Sequence, residues 1–147
     1  MAFTLDASLL HLLHRASQIA NDTFAEEQAT DGLTSRQFVV LAAIAEREGL
    51  SQTNIVERTG VDRSTLADVV RRLLKKGLVA RKRTKEDARA YSVKLTSEGQ
   101  RLLHEAANSA VRTEEKLVAT LSARNKADVV RLLQSLAAAT AKSGVPK

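Results

Sequence analysis

The chain of 147 residues (16.0 kDa) is 44% hydrophobic and 27% charged, enough apolar content for a compact domain and too much for a disordered one. One Pro and six Gly leave little room for the turns of an all-β fold, and the lack of Cys excludes disulfides, thiolate metal sites and thiol redox sensing. The net charge of +6 is placed unevenly: Arg71 to Lys94 holds ten basic residues against Glu86 and Asp87, a local +8 that leaves the other 123 residues at −2. Such a run is the footprint of a polyanion partner, with a solvated face tuned for solubility as the alternative. A membrane surface fits poorly, because an interfacial helix wants aromatic anchors and this segment holds only Tyr91. No apolar run approaches the roughly 20 residues of a membrane span, and no basic-then-apolar leader is seen, so a soluble cytoplasmic chain is expected.

In chain order, Leu9, Leu13, Ala16, Ala20 and Phe24 recur at three- and four-residue spacing and predict an amphipathic helix over 6–28. Asp31-Gly32 breaks it. Thr34, with Gln37 as its capping-box partner, opens a second helix whose inner stripe is expected to be Phe38, Leu41, Ala42 and Ala45, ending at Gly49. Ser51 caps a short third helix around Ile55 that stops at Thr59-Gly60. Asp62 caps a fourth, in which Leu66, Val69, Val70, Leu73 and Leu74 form a regular stripe and Gly77 is the stop. The period then shortens: 78–83 and 90–95 read as two strands of a hairpin with Leu78, Val79, Tyr91, Val93 and Leu95 as apolar positions and a polar loop from Thr84 to Arg89. Thr96 opens a long fifth helix through Leu102, Leu103, Ala106, Ala110 and Leu117. Ser122 caps a sixth, striped with Val129, Leu132, Leu133, Leu136 and Ala137, and the Gly-Val-Pro-Lys end is expected to fray.

Three short helices followed by a charged hairpin predict a mainly α, winged helix-turn-helix fold. Burying the Leu/Val stripe of the fourth helix leaves Arg63, Ser64, Thr65, Asp68, Arg71 and Lys75 on outward or flanking faces. Hydroxyls near a helix N-terminus and an Arg able to bond guanine bidentately are the groups of a major-groove reader. Arg83, Lys85 and Arg89 of the hairpin loop suit phosphates or a narrow, negative minor groove. Cations at the end of the fourth helix also complement its dipole, which accounts for Arg71, Arg72, Lys75 and Lys76 but not for the hairpin.

Taken together, Leu33-Thr34-x-x-Gln37-Phe38-x-x-Leu41, Asp62-Arg63-Ser64-Thr65-Leu66, Leu74-x-x-Gly77-Leu78-Val79, Arg81, Asp87-x-Arg89 and Leu95-Thr96-x-x-Gly99 resemble the MarR family of bacterial transcriptional regulators over nearly the whole chain. The resemblance implies one domain over 1–147, with 33–95 binding double-stranded DNA and 1–32 and 96–147 supplying dimerisation helices. It implies a homodimer gripping a pseudo-palindromic operator, with Arg89 in the minor groove and Asp87 orienting it. Where the family often has Pro or Asp after the third wing residue, this chain has Arg83-Thr84, which makes the wing more basic.

Independently, the first and last two helices carry more Leu, Val, Ala and Ile than a small winged-helix core can cover; a partner subunit would bury them, and a tail packing on itself is the alternative. His11 and Arg15, four apart on one helix face with His14 close by, form a reasonable carboxylate receptor, or else surface or interface polar groups. The stretch His11-x-x-x-Arg15-x-x-Gln18-Ile19 is similar to that of family members controlling degradation of aromatic carboxylic acids, which implies a small aromatic acid as effector. His11 and His14, at i, i+3, can share a face and His104 is the other histidine, but a metal site needs a third ligand and a held geometry, so neither metal nor cofactor is expected. No HExxH, phosphate loop or GxSxG is present, so the chain reads as a non-enzyme. A repressor released by an effector is the favoured reading, and a non-specific architectural DNA binder is the alternative.

Overall fold

The computed structural model describes residues 3–29, 31–84 and 91–142. A 3-10 turn (Leu5–Ala7) leads into α1 (Leu9–Glu27), then α2 (Ser35–Glu46), a two-residue strand β1 (Leu50–Ser51), α3 (Gln52–Thr59) and α4 (Arg63–Lys75). The hairpin strands β2 (Val79–Arg83) and β3 (Tyr91–Leu95) follow, and then the long helices α5 (Ser97–Leu117) and α6 (Ala123–Lys142). This is the mainly helical, winged helix-turn-helix architecture that the periodicity predicts.

Each helix begins where a short polar side chain satisfies a free backbone N–H. Reciprocal capping boxes join Thr34 to Gln37 and Ser51 to Asn54. Single caps are made by Ser8 for His11, Asp62 for Thr65, Thr96 for Gly99 and Ser122 for Asn125. The Ser8 cap starts α1 at Leu9, three residues later than the expected start, because Asp6 is used in the preceding 3-10 turn.

Two features depart from the sequence expectation. The sheet has three strands, in the order β1-β3-β2, because Leu50 and Ser51 pair antiparallel with Val93 and Ser92. A two-residue strand has no periodicity to read. In α2 the buried face runs through Gln37, Val40, Leu41 and Ile44, with Ala43 beside it, while Ala45 is exposed and Phe38 and Ala42 are half-buried. The core is rotated because α2 packs against α3, α4, α5 and β3 at once, so its apolar surface is shared among neighbours.

Val40, Leu41, Ile55, Leu66, Val70, Leu73 and Val93 form the fully buried centre, where α2, α3, α4 and β3 meet. Phe24, near the end of α1, reaches this core and stacks obliquely on Phe38 with centroids 5.3 Å apart. The rest of α1 behaves differently: Leu9, Leu10, Leu12 and Ile19 are exposed, as are Val130, Leu132 and Leu133 on α6. Glu27 ties α1 to α5. Its carboxylate takes Arg112 Nε at 2.7 Å and Lys116 Nζ, while its carbonyl accepts the Ser109 hydroxyl at 3.0 Å. The hydrogen bonds from Lys116 and then Arg112 hold the Glu27 carboxyl below its usual range.

α4, the hairpin and α5 converge at one joint. Gly77, at φ +70°, ends α4 in a Schellman turn: its N–H bonds Leu74 O and the Leu78 N–H bonds Leu73 O, each at 3.0 Å. Across from it, the Thr96 hydroxyl donates to Gly77 O at 2.7 Å and the Thr96 N–H to Leu78 O at 3.1 Å. A Cβ on Gly99 would lie 2.0 Å from Leu78 O, so only glycine lets α5 lie this close. Gly99→Ala must push α5 off the hairpin base, with an expected loss toward the upper end of the ~1–3 kcal/mol of core overpacking. Urea unfolding followed by circular dichroism should show a lower midpoint at unchanged slope.

Candidate nucleic-acid interface

On α4 the buried side chains Leu66, Val69, Val70 and Leu73 face inward. At 100° per residue, Ser64, Asp68, Arg71 and Lys75 form the stripe diametrically opposite, with Arg63 and Thr65 flanking it. The structure therefore places four of the six α4 residues singled out from the sequence on the outer stripe of one helix, with Arg63 exposed and Thr65 half-buried on its flanks.

Their local bonding decides what they can offer. The Asp62 carboxylate accepts the Thr65 N–H at 2.9 Å, the Thr65 hydroxyl at 2.6 Å and the Ser64 hydroxyl at 2.8 Å. These bonds, the Thr65 hydroxyl foremost, hold the Asp62 pKa far below the usual carboxylate range. An ionised carboxylate can only accept, so both hydroxyls spend their protons on Asp62 and present oxygen lone pairs outward, suited to the amino groups of bases. Farther along, Asp68 binds Arg71 Nη2 and, at 2.8 Å, Arg72 Nε, which holds its carboxyl below the usual range. Arg63 Nη1 reaches Thr53 Oγ1 on α3 at 3.5 Å, and Lys75 extends into solvent.

In the hairpin, Arg81 pairs with Val93 and Arg83 with Tyr91. Both guanidinium carbons lie 5.9 Å from the centroid of the Tyr91 ring. The sequence treats Tyr91 as an apolar strand position; the residue is 42% exposed and its ring lies beside both arginines. Arg72 is a further residue missing from the sequence selection, because only the helix geometry shows that it shares Asp68 with Arg71. Lys85, Asp87 and Arg89 lie outside the described residues.

His11 is half-buried on α1, while His14 and Arg15 are exposed. A polar cleft of about 600 Å³ opens between α1, α2 and α4, lined among others by Ser17, Asn21, Arg36, Asp68 and Arg72. Ser35 donates to Asn21 Oδ1 at 2.5 Å across it. His11, His14 and Arg15 are not part of this lining; they precede Ser17, its first α1 residue, by less than two turns of the helix. Among the described residues no cluster of His, Cys, Asp or Glu is placed to hold a metal ion, and no helix is long and apolar enough to cross a membrane.

Comparisons with known proteins agree with this geometry. A model of the MarR family matches residues 31–90. The chain is 31% identical to the HTH-type transcriptional repressor NicR of Pseudomonas putida over 126 residues, spanning 86% of this chain and 80% of the relative. It superposes on PcaV of Streptomyces coelicolor in complex with its natural ligand at a TM-score of 0.87, with 32% identity over 95% of this chain and 99% of that one. It superposes on BpsR of Bordetella bronchiseptica, whose DNA binding is regulated by 6-hydroxynicotinic acid, at 0.85, with 27% identity over 93% and 98% of the two chains.

Removing the Asp62 carboxylate tests the geometry of the α4 start. Its folded pKa is depressed, so its contribution is present above the unfolded value of about 3.9 and is lost as pH falls through the acid range. Asp62→Ala should melt below the wild type at pH 7, and thermal scans should show that gap narrowing steadily once the pH drops under about 4.

Proposed function

The chain belongs to the MarR family of transcriptional regulators, and on that premise we propose that it is a homodimeric repressor released from a pseudo-palindromic operator by a small aromatic carboxylate. The observation that carries the DNA reading is the +8 segment from Arg71 to Lys94, which the fold divides between the outer end of α4 and the hairpin. Residues 33–95 form the DNA-binding part, in which Ser64, Asp68, Arg71 and Lys75 face the major groove. The wing arginines Arg81 and Arg83 face the backbone, and Arg89, oriented by Asp87, enters the minor groove. Residues 1–32 and 96–147 pair two copies, which would cover Leu9, Leu10 and Leu12 of α1 and Val130, Leu132 and Leu133 of α6. The protein carries out no reaction in this reading and works in the cytoplasm.

Two copies of α4 must sit about 34 Å apart to enter successive major grooves. An effector favouring a different spacing lowers DNA affinity by its differential binding to the two dimer shapes. The acid class is supported by the relative regulated by 6-hydroxynicotinic acid and by the placement of His11 and Arg15 on one face of α1. Arg15 supplies the charge for a carboxylate and His11 a donor or acceptor for a ring substituent. Asn21, farther along α1, lines the cleft against α4, so α1 meets the helix that an effector must displace at a polar junction.

Fluorescence anisotropy, comparing the duplex upstream of the protein's own gene with a scrambled duplex, should give a preference of about 10³ or more, lost on adding one aromatic acid. Equal binding to both duplexes would leave an architectural DNA binder. Arg89→Ala should weaken operator binding by about tenfold or more and lower the salt slope. Arg15→Ala and His11→Ala should bind the operator as the wild type does while no longer responding to the acid; normal release from both variants would move the effector elsewhere.

A further inference from the structure

We propose that Tyr91 is the positioning residue of the wing: its ring gathers Arg81 and Arg83 into one paired-cation site for a backbone phosphate of duplex DNA. The proposal deepens the DNA-binding reading and rests on it.

The hairpin register builds this site. Side chains alternate faces along a strand, so Val79, Arg81 and Arg83 of β2 share a face with Leu95, Val93 and Tyr91 of β3. At the base of that face Val79 and Val93 are buried, which anchors it to the core. Toward the tip Tyr91 stands directly across from Arg83 and diagonal to Arg81, the two positions from which long side chains reach a cross-strand ring. Both guanidinium carbons lie 5.9 Å from its centroid, within cation–π range.

Two guanidiniums around one ring repel each other. On α4 the comparable pair, Arg71 and Arg72, is reconciled by the carboxylate of Asp68. Among the described residues Arg81 and Arg83 have no carboxylate partner, and what they share is the negative face of an aromatic ring. A ring holds cations without neutralising them, so this contact leaves the charge of both arginines available to an incoming anion. It also limits the rotamers of two long exposed side chains before binding, which lowers the entropy lost when they clasp a phosphate. Guanidinium forks match phosphate oxygens bidentately, and a duplex presents phosphates continuously to a basic hairpin. The ring face does this work, not the hydroxyl, so Phe should replace Tyr91 and Leu should not.

The test combines spectra of the free protein with binding to a mixed-sequence duplex, because the proposed contact is to backbone and needs no operator. In NMR spectra the Arg81 and Arg83 side-chain signals should show ring-current shifts in the wild type and in Tyr91→Phe, and lose them in Tyr91→Leu. In anisotropy titrations Tyr91→Leu should bind the duplex about five- to tenfold more weakly than the wild type, and Tyr91→Phe should match it. The same Tyr91→Leu change made on top of Arg81→Ala/Arg83→Ala should cost nothing further, since the ring acts through the arginines. Unchanged binding by Tyr91→Leu, or an equal loss in the background lacking both arginines, overturns the proposal. Absent ring-current shifts in a wild type that binds the duplex remove the clamp alone. Present shifts in a wild type that binds no duplex remove the DNA reading and the phosphate with it.

Discussion

The close approach of Gly99 to the Leu78 carbonyl is the constraint on which the rest of the arrangement turns. Within a few residues the Schellman end of α4, the base of the hairpin and the first turn of α5 share hydrogen bonds through Gly77 O and Leu78 O. Thr96 serves twice, capping α5 through the Gly99 N–H and clasping Gly77 through its hydroxyl. The Leu95-Thr96-x-x-Gly99 pattern is thus a mechanical part as well as a family signature. It makes the direction of α5 and the aim of the wing a single variable.

At the far end of α1 the Glu27 clamp extends that frame. Arg112, Lys116 and Ser109 hold the last turn of α1 against α5, and α5 in turn holds the wing base. A disturbance of α1 therefore has a packed route to the DNA-facing elements through two polar joints. In the proposed dimer, where α1, α5 and α6 carry the exposed apolar surface, pairing and reading are mechanically linked within each chain.

What was legible in the sequence was local. Thr34 with Gln37, Ser51, Asp62, Thr96 and Ser122 announce helix starts because capping is settled within three residues, and Gly77 announces a stop for the same reason. The stripe of α4 reads correctly because α2, α3 and β2 all cover the same side of it, so its buried residues keep a regular helical spacing. α2 reads poorly, since several elements cover it and its inward face shifts toward Val40 and Ile44. β1 exists only because β3 offers an edge, and nothing in Leu50-Ser51 alone encodes that. At the candidate interface the residue types were legible, but their partnerships were not. That Asp68 holds two arginines, that Asp62 accepts hydrogen bonds from Ser64 and Thr65, and that Tyr91 sits beside Arg81 and Arg83 all depend on rotamers and register.

The Asp68 bridge has a consequence for the order of events at a duplex. Arg71 and Arg72 are already satisfied on the protein surface, so a base or phosphate must win them from a carboxylate before either can read it. Under the proposed function, that gives the two halves of the positive segment different roles in time. The wing, with its cations held by a ring, acts over distance and governs the speed of capture; the helix, whose Arg71 and Arg72 must change partners, governs how long a captured duplex stays. A sequence that offers α4 nothing worth the exchange is caught as readily as the operator and let go sooner.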